Sequence, residues 1–201
     1  MELLRGKIKT LYFKYLSAAF GSALISSIYG IVDMAMVGQY QGPDGTAALA
    51  VVAPVWNVIY SIGLLMGIGG SVIFSTKRGS GMSADGEDDQ YFTAAVIGSV
   101  ILAALAWVGL ILFERPLLMF FGTDETLLAL AQRYMIPVKV VFPLFLFNQM
   151  LAAFLRNDGA PALATLGVLS GGIFNVLGDW FFVFPCDMGV YGAGLATALG
   201  S

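Results

Sequence analysis

Five long windows without a charged residue constrain this chain more than any other feature. Residues 15–32, 45–76, 90–113, 140–155 and 159–178 contain no Asp, Glu, Lys or Arg. A helix needs roughly 20 mainly apolar residues to cross the hydrocarbon of a bilayer. Within that layer, backbone polar groups are satisfied only in helices or closed barrels. The windows are continuous, unlike the alternating segments of about ten residues that barrel strands use. The chain is therefore read as an all-α, polytopic transmembrane bundle. Helices are expected at about 11–37, 46–76, 91–113, 126–155 and 161–184, with a partial sixth over 189–201. Composition agrees: 58% of the 201 residues are hydrophobic and 11% charged, against roughly a quarter charged in soluble domains. The lipid bilayer is the partner such a surface requires.

Several function classes fall away. There is no basic stripe interleaved with aromatics, so nucleic acid is not an expected partner. The chain has no histidine, which removes most general-base, nucleophile-relay and zinc chemistry. The single cysteine, Cys186, cannot form an intrachain disulfide. The first ten residues are basic, but no short apolar region with a small-residue cleavage site follows. An uncleaved first span is expected. Polar stretches mark the connections: 39–45 (QYQGPDG), 77–90 (KRGSGMSADGEDDQ), 122–125 (GTDE, with Thr123 or Asp124 as an N-cap), 157–161 (NDGAP) and 185–188. With the N-terminus in the cytoplasm, Arg5, Lys7, Lys9, Lys14, Lys77, Arg78 and Arg156 lie inside, and Arg115, Arg133 and Lys139 lie on or toward the other side. Seven against three favours that orientation, in a plasma (cytoplasmic or inner) membrane.

Glycine spacing predicts close helix packing. Gly63-x-x-x-Gly67 in the second helix and Gly167-x-x-x-Gly171 in the fifth allow backbones to approach. Pro137 and Pro143 remove hydrogen bonds from the fourth helix, should bend it, and are its candidate hinge positions.

Two acids lie inside spans, Asp33 and Asp179. An acid at mid-span costs roughly 2.5–3.5 kcal/mol on insertion scales and usually marks an ion or proton pathway. At 1.5 Å per residue both sit roughly 8–9 Å from the same end of their helices, so they can meet. Asn175 shares a helix face with Asp179, and Thr197 arrives at a similar depth on the sixth helix. Asp33, Asn175, Asp179 and Thr197 thus offer carboxylate, amide and hydroxyl oxygens around one pocket, suited to a proton or to a hard cation such as Na⁺. Burial and a neighbouring carboxylate favour the protonated form of carboxyl groups in general. No cofactor other than a coupling ion is expected, and no metal other than Na⁺ at those four residues.

Three stretches together resemble a known family. Residues 29–38 (YGIVDMAMVG) resemble the first helix of the multidrug and toxic compound extrusion transporters. Residues 155–161 (LRNDGAP) look like their helix four–five junction. Residues 175–184 (NVLGDWFFVF) and 189–197 (GVYGAGLAT) look like their fifth and sixth helices. The resemblance covers nearly the whole chain. It implies an architecture of twelve helices in two six-helix lobes, exchanging H⁺ or Na⁺ for small organic, often cationic, compounds. It also implies that Asp33, Asn175, Asp179 and Thr197 are the ion or proton site of the N-terminal lobe. Having both aspartates leans toward the damage-inducible-protein-like branch. Where the family usually has Asn, three residues before the first acid, this chain has Gly30. The chain ends inside the sixth helix, so a C-terminal lobe is the missing partner that the resemblance implies. Met34, Met36, Trp56, Met66 and Phe147 are candidates for a substrate cleft, because methionine and aromatic surfaces accept varied shapes. Packing is the commoner role for such residues.

Three other functions compete. A lipid-linked oligosaccharide flippase of related architecture needs a larger, cationic cavity, and only Lys139 inside a span favours it. An intramembrane aspartyl protease carries Gly-x-Gly-Asp, whereas 176–179 reads VLGD, so the chain is not expected to be an enzyme. A purely structural subunit predicts that neutralising both acids only stabilises the fold.

Overall fold

The computed structural model describes residues 8–80 and 87–201. Arg5, Lys7 and positions 81–86 of the 77–90 stretch lie outside the described residues. Within them the chain forms six helices and no strand: α1 (Ile8–Gln41), α2 (Pro43–Ser80), α3 (Glu87–Phe120), α4 (Glu125–Asn157), α5 (Pro161–Val183) and α6 (Gly189–Gly200). The first five are long and apolar enough to cross a membrane. Large apolar side chains such as Val140 and Leu144 point outward, 72% and 70% exposed. In a bilayer that surface meets lipid, so it carries no cost of contact with water.

The helices alternate in direction, because each connection is short. Gly42 alone separates α1 from α2, at φ +74°, a left-handed conformation that glycine adopts without a Cβ penalty. Asp124 caps α4, accepting a hydrogen bond from the Leu127 amide at 2.8 Å. Pro161 opens α5 at a position that needs no donor. Three turns, α1–α2, α3–α4 and α5–α6, therefore lie at one end of the bundle, called here the turn end.

Helix α4 is the hub. It packs on α2, α3, α5 and α6, while α1 lies against α5 and α2. The α2–α4 contact is close because α2 presents glycines to it. A Cβ on Gly63 would sit 2.8 Å from Gln149 Cβ, and one on Gly67 2.9 Å from Ala153 Cβ. Of the second glycine pair, Gly171 abuts the Gly200 carbonyl, whereas Gly167 has open space beside it. Most of the buried core runs along α2 and α4, with Val52, Met135, Val138, Phe142 and Leu146 almost fully enclosed.

One proline of α4, Pro143, is compensated. Pro143 has no N–H to offer the Lys139 carbonyl, one turn back. Trp107 of α3 donates its indole N–H to that carbonyl at 2.7 Å. The Lys139 ammonium in turn pairs with Glu114 of α3 at 2.8 Å. The expected bend at Pro137 and Pro143 is accompanied by no break, and α4 is assigned as one helix through both. The backbone leaves helical angles in α3 instead, at Phe113 (φ −113°, ψ 15°), three residues before Pro116. The boundary expected at residue 113 falls at this departure from helical angles. Glu114 and Arg115 look like an interfacial end in the sequence, but the helix bends there and continues to Phe120.

Candidate ion-binding site

Asp33, Tyr134, Asn175, Asp179 and Thr197 come together from α1, α4, α5 and α6 toward the turn end. The Tyr134 hydroxyl lies 3.0 Å from Asp33 Oδ2 and 3.1 Å from Thr197 Oγ1. The Asn175 amide nitrogen lies 3.1 Å from the same threonine oxygen. Tyrosine has a single proton to give. The pattern that satisfies all three contacts is a relay: Asn175 N–H donates to Thr197, Thr197 O–H to Tyr134, and Tyr134 O–H to Asp33 Oδ2.

Small residues make this meeting possible. A Cβ on Gly194 of α6 would overlap the Tyr134 carbonyl, and one on Gly178 of α5 would lie 3.0 Å from Ala196 Cβ. Glycine at those positions lets α6 lie directly on α4 and α5, which brings Thr197 within reach of both Tyr134 and Asn175.

The relay leaves a surplus of acceptors. Asp33 Oδ1, Asn175 Oδ1 and both oxygens of Asp179 are buried without a hydrogen-bond partner. Asp179 is wholly enclosed, and Asp33 and Asn175 nearly so. Buried oxygens without donors are costly, and native structures rarely keep them without a use. Asp179 lies within electrostatic range of Asp33 and Tyr134. Two carboxylates and an amide that share four donor-free oxygens are a fit for a proton or an oxygen-seeking cation. Among the described residues, no group of three or more His, Cys, Asp or Glu side chains is placed to hold a metal, so any cation here would rely on amide and hydroxyl oxygens as well.

The site opens on a cavity of about 680 Å³ between α1, α2, α4, α5 and α6. Asp33, Tyr134, Asn175 and Thr197 line it, and Asp179 is outside the lining. Of the residues singled out for a substrate cleft, Met34 and Trp56 line the cavity. Met66 and Phe147 pack instead against the small cluster of Phe74, Ala95, Met150 and Phe154. Met36 is half-buried and outside the cavity lining. Gly30 lines the cavity beside Asp33, with nothing within 4 Å of where its Cβ would be. Lys139, the residue that would serve a flippase, is held by Glu114 and lies outside the cavity lining.

Tyr134 is the site residue that sequence reasoning missed. It follows Arg133, and a tyrosine beside an arginine near a helix end reads as an interfacial anchor. A usable signal was its register, since its depth from the turn end matches that of Asp33.

The MatE family profile matches residues 18–181. The chain belongs to the MatE family. Among its relatives, the multidrug export protein MepA of Staphylococcus saprophyticus is 25% identical over 178 residues, covering 88% of this chain and 39% of that protein. MepA of Staphylococcus aureus is 25% identical over 177 residues, with the same coverage. The chain thus spans 39% of the length of these MatE relatives. Its fold superposes on a multidrug resistance MATE family transporter in an outward-facing conformation, with a TM-score of 0.89 at 24% identity, covering 99% of this chain and 44% of that one. The Vibrio cholerae MATE transporter VcmN in its bent form gives a TM-score of 0.85 at 24% identity, covering 95% and 43%. This MatE chain is therefore a multi-pass membrane protein with the fold of one six-helix lobe.

Proposed function

We propose that this protein provides the ion-coupling lobe of a secondary transporter that exchanges H⁺ or Na⁺ for small organic, often cationic, compounds. The carrying observation is the set of four buried, donor-free oxygens on Asp33, Asn175 and Asp179, set beside a cavity large enough for an organic ligand. Cavities of roughly 300–1,000 Å³ suit drug-sized molecules. The names of the MepA relatives support export of such compounds.

The residues suggest how coupling works. With neither ion nor proton bound, Asp33 and Asp179 repel one another across a low-dielectric interior. Loading one proton or one cation removes most of that repulsion. Asp33 sits on α1, and Gly30 one turn earlier leaves open space in which that helix can shift. Tyr134 and Thr197 tie the Asp33 carboxylate to α4 and α6, so a change in its charge is felt by three helices at once. In the unloaded state the Asp33 carboxylate is free to attract a cationic substrate in the cavity, and loading from the opposite side expels it. The basic residues of the N-terminus, Lys77, Arg78 and Arg156 favour a cytoplasmic N-terminus in a plasma membrane.

The test uses proteoliposomes and a fluorescent organic cation, first under a pH gradient and then under a Na⁺ gradient. Asp33→Asn and Asp179→Asn are expected to abolish gradient-driven movement while the protein stays folded, and the effective gradient names the ion. If both variants move the cation like the parent, the carboxylate pair is not the coupling site.

A further inference from the structure

The cavity has two ends with opposite chemistry. Toward the turn end it presents Asp33 and the hydroxyl–amide relay. At its other end it reaches Arg156, in the last turn of α4. Side chains on a helix lean toward its N-terminus. The N-terminus of α4 is at the turn end, so the guanidinium extends back along the cavity. Its Nε is buried and has no hydrogen-bond partner. The acid closest in sequence, Asp158, is held by Arg78. Among the described residues no ion pair is recorded for Arg156. Asn148 and Gln149 line the same cavity, roughly two turns nearer the middle of α4.

Between the two ends the lining includes Ala19, Ala23, Val168 and Gly171. Their short side chains leave a corridor that is mainly apolar, interrupted by the polar groups of Ser22, Ser27 and Asn57. From Tyr134 to Arg156 the rise along α4 is about 33 Å at 1.5 Å per residue. That is too far for one small molecule to touch both ends, so they act as separate subsites.

We infer that the Arg156 end of the cavity is a binding subsite for an amphiphilic organic anion, whose carboxylate or phosphate the guanidinium holds while its apolar body lies in the corridor. A planar guanidinium with unfilled donors matches such groups in bidentate fashion, which an ammonium cannot. A guanidinium partly shielded from water gains more from an anion than a fully solvated one. The inference rests on the cavity being the ligand path of the proposed transporter, and it adds organic anions to the cationic compounds that Asp33 attracts. The same chemistry fits the headgroup of an anionic lipid or a free amphiphile.

Binding is measured by titration calorimetry on the purified chain in phosphatidylcholine nanodiscs, with dodecyl phosphate and dodecyltrimethylammonium as probes. Arg156→Gln is expected to weaken dodecyl phosphate about tenfold or more, the scale of one charge-assisted hydrogen bond. Dodecyltrimethylammonium should be unaffected. Arg156→Lys, which keeps the charge without the fork, should recover part of the loss. Should Arg156→Gln misfold, the gap between wild type and Arg156→Lys decides: equal affinities for dodecyl phosphate overturn the inference. Equal losses for both probes, or none for either, overturn it too. Mass spectrometry after exchange into phosphatidylglycerol nanodiscs separates the sources. Lipid retained by wild type but not by Arg156→Gln assigns a headgroup, and alkyl phosphate binding without lipid retention assigns a soluble anion. None of these readouts needs an ion gradient, so failure of coupled transport and failure of this subsite are distinguishable.

Discussion

Replacing Trp107 with Phe isolates a single consequence of a proline in a membrane helix. Pro143 leaves the Lys139 carbonyl without its helical donor, and the Trp107 indole takes that place at 2.7 Å. The contact joins the middle of α3 to the middle of α4, where lipid offers no replacement donor. Trp107→Phe keeps an aromatic ring but leaves the carbonyl bare. An acceptor left unsatisfied away from water, here facing lipid, costs about 1–3 kcal/mol, so about 2 kcal/mol of stability should be lost. Pro143→Ala returns a backbone N–H to position 143 and gives the carbonyl its ordinary partner. In that background Trp107→Phe should cost well under half as much. The assay is reversible unfolding in mixed detergent micelles, followed by helix content, for the parent, both single variants and the double variant. A coupling energy of about 1–2 kcal/mol is expected from the cycle. If Trp107→Phe costs the same in the parent and in the Pro143→Ala background, the indole is not standing in for a missing amide and the reasoning fails.

Other perturbations read other parts of the structure. Tyr134→Phe keeps the ring and removes the hydroxyl that joins Asp33 to Thr197. It should lower gradient-driven transport about tenfold, the scale of a lost hydrogen bond to a charged group, and transport at the parental rate counts against the relay. Gly67→Val should destabilise by about 1–3 kcal/mol, because α2 must move off Ala153 and Met150. Gly69→Ala, with nothing within 4 Å, should stabilise by about 0.5–1 kcal/mol; thermal unfolding that ranks the two the other way refutes the close α2–α4 contact. Glu114→Gln or Lys139→Met alone leaves a partly buried charge unpaired and should cost about 3–5 kcal/mol, whereas Glu114→Leu with Lys139→Met should cost far less. Equal losses in chemical unfolding for the singles and the double would show that the pair contributes through its shape, not its charges.

The fold was legible because a bilayer leaves few options. Long apolar windows, short polar connections and capping residues placed the six helices, and Asp124 caps α4 as its position suggested. Asp33, Asn175 and Thr197 stood out because polar atoms are conspicuous in apolar runs, and the structure brings them together. What was hidden depends on partners far away in sequence. Beyond the kink at Phe113 the chain resumes helix to Phe120, with Glu114 paired to Lys139 of α4. The role of Tyr134 shows only once α1 and α6 lie beside it. Met66 and Phe147 have the chemistry of a ligand surface, yet they pack into a small cluster, and only packing tells those roles apart.

The single-residue joint at Gly42 bears on how the chain enters a membrane. With α1 running to Gln41 and α2 starting at Pro43, almost no unpaired backbone lies between them. In the orientation proposed above, the segment that crosses the bilayer with these two helices is scarcely more than the turn itself, carrying Asp44 as its only nearby charge. Helices α1 and α2 are thus suited to partition from the translocation machinery together, as a closed hairpin. Lengthening that joint with polar residues would expose more backbone during insertion, while leaving every contact of the finished bundle available.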